Sequence, residues 1–180
     1  MLRAAFALSL CVPFALAAPA PAHAADVATL GCVEDGMDAN ARKLLLDDLT
    51  TNLNNSGQAQ SYRPETVQAI QAVAMACKTK HGWTTEATQA AILYTMPKIG
   101  WPIADRMGRA HGLNPDALAK RFRMLPDAER NDAINDNVLG KLARGSLAAG
   151  EINADNAALA GALYGLLALR EKALVDFKAN

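Results

Sequence analysis

A chain of 180 residues with 18 basic and 18 acidic side chains has no formal net charge, so it lacks the long-range field that draws proteins to nucleic acid or anionic lipid. Apolar residues make up 51% of it but aromatics only 5%, so any core must be built chiefly from Ala and Leu. Three cysteines, none of them in a Cys-x-x-Cys pair, exclude a disulfide-dense or zinc-clustered scaffold.

The first element is expected to be removed. Arg3, an apolar run over residues 4–18 and Ala22-His23-Ala24 read as a secretory signal peptide, with cleavage after Ala24. That predicts a periplasmic or secreted protein whose residues 25–180 form one helical domain. Cys11 would leave with the leader, leaving Cys32 and Cys77 as an even pair in an oxidising compartment. The spacing predicts a bridge whose loop closure stabilises by roughly 4 kcal/mol. The alternative is lipid attachment at Cys32, but Thr29-Leu30-Gly31-Cys32 sits beyond Asp26, outside the apolar run. Residues 157–169 are apolar but fall short of the roughly 20 residues that cross a bilayer.

No window alternates apolar and polar residues for long, so the expected class is all-α: a single-domain bundle of about six to seven helices with a long C-terminal helix. After a loose lead, Asp38 caps a helix to about residue 54, with Leu45, Leu46, Leu49 and Leu53 on one face. Pro64 suits a first helical turn, and Val67, Ile70, Ala74 and Cys77 give the next stripe, closed by Gly82. Thr84 or Thr85 caps a third helix that is expected to stop at Met96, because Pro97 and Gly100 follow. Pro102 would start a short fourth helix. Asn114-Pro115 opens a fifth, with Leu113 stapled to Leu118. Pro126-Asp127 opens a sixth to Gly145, with Ile134, Val138 and Leu142 inward. The last helix runs from about residue 154 to 177, and its Gly161 and Gly165 predict a close helix-helix approach.

Motifs for chemistry are sparse. Residues 103–108 followed by 115–122 resemble the helix-turn-helix of transcription regulators, but the interval from Ala104 to Leu118 is about four residues too long and an exported chain does not meet the chromosome. His81 and His111 belong to no metal or haem motif, and Glu151-Ile152-Asn153-Ala154-Asp155 departs from a calcium loop at its sixth and twelfth positions. No metal and no cofactor are expected. The richest segment spans residues 83–106, where Trp83, Glu86, Tyr94, Trp101 and Arg106 surround the helix-breaking residues. Aromatics beside a break in a helix often line a groove, so these five form the expected binding surface.

The expected function is non-catalytic binding or a structural role, with a protein or a cell-envelope component as partner and no nucleic acid. Two alternatives stay open. One is a hydrolase of envelope polymer acting through Glu86 or Glu34; the other is a carrier of a small apolar ligand. Nothing in the sequence sets an oligomeric state.

Overall fold

The computed structural model describes residues 24–180, so the expected leader lies outside the described residues except for Ala24. A 3-10 turn at Val27–Thr29 precedes eight helices: α1 (Cys32–Gly36), α2 (Ala39–Asn54), α3 (Pro64–His81), α4 (Thr85–Ala110), α5 (Pro115–Arg123), α6 (Asp127–Asn131), α7 (Asp136–Ala148) and α8 (Ala157–Ala179). The class is all-α with a long C-terminal helix, and the eight helices exceed the six to seven expected.

The start signals act as their chemistry requires. Asp38, Thr84 and Asn114 each accept a hydrogen bond from the backbone N–H three residues on, which satisfies an otherwise orphaned donor. Gly82 ends α3 in the left-handed region at φ 68°, where a side chain would be strained. The extra helix α1 lies in the expected loose lead, where a disulfide joins Cys32 to Cys77 across a sequence separation of 45. That bridge holds α1 on α3, and Val33 behind it is fully buried.

The largest departure is α4. It runs unbroken for 26 residues through both Pro97 and Pro102. Each proline lacks an N–H and removes one helical hydrogen bond, but Pro97, Ile99 and Gly100 are all buried against neighbouring helices. At Gly100 an added Cβ would lie 3.0 Å from Leu49 Cδ1, so the absent side chain is what lets α2 seat there. Packing against α2, α3 and α8 outweighs the local preference to break.

The expected sixth helix is instead two. The turn at 132–135 separates α6 from α7, and Asn135 caps the latter by accepting from Asn137 N. Ile134 therefore stays exposed, while Leu142 is buried as expected. Val67 is likewise outside the core, and Thr66 takes its place on the buried side of α3. Gly161 and Gly165 do not mediate a close approach, since a Cβ at either would meet nothing within 4 Å.

Buried residues form two clusters. One joins α1, α2, α3 and the first half of α4 around Leu45, Ile70 and Trp83, and Phe177 of α8 closes it. The other joins the second half of α4 to α5, α7 and α8 around Leu118, Phe122, Leu142 and Leu163. Helices α4 and α8 run through both. Among the described residues no helix is long and apolar enough to cross a membrane.

Candidate functional site

The five residues of the expected surface do not converge. Glu86 and Arg106 alone are separated by about 30 Å along α4 at 1.5 Å per residue. Trp83 is only 5% exposed; its ring meets Phe177 edge-on, with centroids 5.2 Å apart, and its indole N–H donates to Thr29 Oγ1 at 3.0 Å. Glu86 is exposed on the first turn of α4, where the helix dipole favours a negative charge. Trp101 is half-buried against the second core, and Arg106 is exposed. Tyr94 is half-buried, with the Arg170 guanidinium 5.6 Å above its ring.

Two of these aromatics instead support grooves made by other residues. Trp83 stacks on His81, with centroids 5.5 Å apart, and holds Thr29. Both His81 and Thr29 line a groove of about 710 Å³ between the N-terminal turn, α1 and α3. Its floor is made of small residues, among them Gly31, Gly36, Ala72 and Ala76, beside the disulfide. Asp35 stands on the α1 side, with Lys80 and His81 at the C-terminal end of α3. Along α3 the lining residues 72–80 extend about 12 Å, room for three or four extended residues of another chain. Sequence reasoning missed this groove because it depends on where the bridge pulls the lead.

The second groove, about 470 Å³, lies where α5, α6 and α8 meet. Phe122, Leu167 and Leu174 form its apolar part, and Arg123, Arg130, Arg170 and the single carboxylate Glu171 complete the lining. Arg130 is tied down, donating to Glu171 at 2.9 Å and Asp127 at 2.8 Å. Arg170 is held from behind by Tyr94. Neither Arg123 nor Arg170 has a carboxylate partner among the described residues. A smaller, largely apolar hollow of about 200 Å³ lies beside Pro97, lined by Met96, Leu139, Leu166 and Leu169.

Two carboxylates with little exposure, Asp48 and Glu151, serve as ion-pair anchors. Asp48 accepts from Arg63 N at 3.0 Å and Arg63 Nε at 2.6 Å. Burial pushes its carboxyl up, but the nearby Thr66 hydroxyl and the two Arg63 donors outweigh it and hold the carboxyl below its ordinary value. Thr66 Oγ1 itself makes no standard hydrogen bond. Glu151 is lowered mainly by the hydrogen bonds of Arg121, which reaches both its oxygens at 2.8 and 3.0 Å; burial opposes this. Behind that pair Ser146 Oγ and Tyr164 OH share a buried hydrogen bond of 2.6 Å. Both carboxyls are thus biased toward the charged form, as an ion pair requires and as a proton donor does not. Glu34, one of the two carboxylates considered for hydrolysis, meets Lys98 Nζ at 2.6 Å and so ties α1 to α4. No cluster of His, Cys, Asp and Glu that could hold a metal occurs among the described residues.

The chain defines an all-α, disulfide-pinned protein with several open grooves on its surface. Comparison with protein-family models, curated proteins and solved structures returned no match to it.

Proposed function

We propose that this is an exported, non-catalytic binding protein whose partner is a protein, an extended segment of which seats in the groove beside the disulfide. The observation that carries the reading is the pinning of that groove. Its α1 wall is joined covalently to α3, and its N-terminal end is anchored by Trp83 through Thr29 and His81. A concave face fixed before binding loses little entropy when it is filled. Small residues on the floor let a partner's backbone come close, and Asp35 facing Lys80 and His81 gives the groove a charge direction. Export is supported by the pattern of residues 1–24 and by a disulfide, which persists in oxidising compartments.

The test uses an array of short peptides with an apolar centre and opposite charges at their ends. The expected result is a preference for one charge order, and loss of binding in Ala76→Glu, an exposed position on the groove floor, with the melting temperature held within about 2 °C. Bound peptide should be recovered intact. Binding that ignores Ala76→Glu would overturn the groove, and recovery of cleaved peptide would overturn the non-catalytic reading.

A further inference from the structure

We propose a second, separate ligand site: the arginine-rimmed groove between α5, α6 and α8, which takes an amphipathic anion, a carboxylate or phosphate head carried on an alkyl chain. Its volume of about 470 Å³ falls within the range of small-molecule sites, roughly 300–1,000 Å³. The floor of Phe122, Leu167 and Leu174 offers apolar surface without polar partners, which suits a hydrocarbon tail. Around it three arginines meet one carboxylate of the lining, Glu171. Glu171 and Asp127 already satisfy Arg130, leaving the guanidiniums of Arg123 and Arg170 free to meet an anion. Guanidinium suits carboxylate and phosphate because its planar fork donates two parallel hydrogen bonds.

The arrangement is also held in place. Arg130 Nη1 donates to the Arg123 carbonyl at 3.4 Å, fixing the backbone that carries Arg123. Tyr94 lies under Arg170 with its ring face toward the cation, so Arg170 is restrained without being neutralised. Tyr94 is therefore a positioning residue, one that keeps a charge available while limiting where it points. An ordinary solvated arginine needs neither device.

Titration calorimetry with decyl phosphate below its micelle concentration tests the site. Decanol supplies the tail without the head, and inorganic phosphate the head without the tail. Decyl phosphate should bind about tenfold or more tightly than either. Arg123→Ala and Arg170→Ala should each weaken it about fivefold, while Arg144→Ala, an exposed arginine outside the groove, should change it less than twofold. Tyr94→Leu should reproduce the loss seen in Arg170→Ala, and Tyr94→Phe, which keeps the ring, should restore binding. A second arm uses vesicles of phosphatidylglycerol and phosphatidylcholine. Sedimentation that depends on Arg123 and Arg170 marks a membrane headgroup as the source, and binding only to the monomer marks a free amphiphile; either outcome supports the site. Equal binding of decanol and decyl phosphate, or indifference to both arginines, overturns it. Because no variant touches the disulfide groove, peptide binding there stands or falls on its own.

Discussion

The two cores of this molecule solve one problem by different means. Helices as short as α1, α5 and α6 do not hold together by themselves in water, so each must be fastened to something longer. In the N-terminal core a covalent fastener, Cys32 of α1 to Cys77 of α3, stands beside the ion pairs Glu34–Lys98 and Asp48–Arg63. In the C-terminal core the fasteners are ionic, with Arg121 of α5 on Glu151 before α8, Arg130 of α6 on Glu171 of α8, and Lys141 of α7 on Glu129 of α6. Among the described residues both regions thus carry ion pairs that respond to pH and salt, and the N-terminal one also carries a bond that responds to the redox state of its surroundings.

The strongest test of that division is the residue that crosses it. Phe177 belongs to α8 but is fully buried in the N-terminal core against Trp83. Phe177→Ala should cost about 3–5 kcal/mol in urea unfolding, from lost transfer energy and the cavity left behind. A loss below about 1 kcal/mol would show the two cores to be less coupled than α8 suggests. Next in size, replacing both Cys32 and Cys77 by Ser should cost up to about 4 kcal/mol. Hydrogen exchange should then quicken in α1 and α3 before α5 to α7, and uniform quickening would erase the distinction.

A smaller effect belongs to the C-terminal core. Ser146→Ala leaves the Tyr164 hydroxyl buried without its partner and should cost about 1–3 kcal/mol, part of which the further change Tyr164→Phe should recover. Smallest is the acid response. The carboxyls of Asp48 and Glu151 lie below their ordinary values in the folded state, so the stability they confer is complete above the unfolded carboxylate range, near pH 4, and is lost as pH falls through the lowered folded values. Glu151→Gln should flatten the acid limb of the unfolding curve without altering the response to reductant. A steeper acid limb would reverse the assignment.

Much of the fold was readable residue by residue. Asp38, Thr84 and Asn114 announced their helices because a cap is a local interaction between a side chain and the next turn. The bridge was readable from cysteine parity. The continuity of α4 was not, because Pro97 breaks a helix by local rules and is overruled by burial that only the assembled bundle supplies. The break between α6 and α7 escaped because the apolar spacing of Ile134, Val138 and Leu142 imitates one stripe. For the site, the sequence drew attention to aromatics that the fold places beside grooves rather than in one shared surface. Trp83 and Tyr94 stand behind His81, Thr29 and Arg170, which face the grooves, and of these Thr29 and Arg170 come from segments distant in the chain.

The placement of Phe177 also orders events during biosynthesis. A cluster that begins with Leu30 and Val33 is closed by a ring encoded far downstream, so α1 to α3 can pack on one another and on α4 before the last piece of their core exists. Until residue 177 has been added, the Trp83 ring lacks the edge-on partner that closes this core.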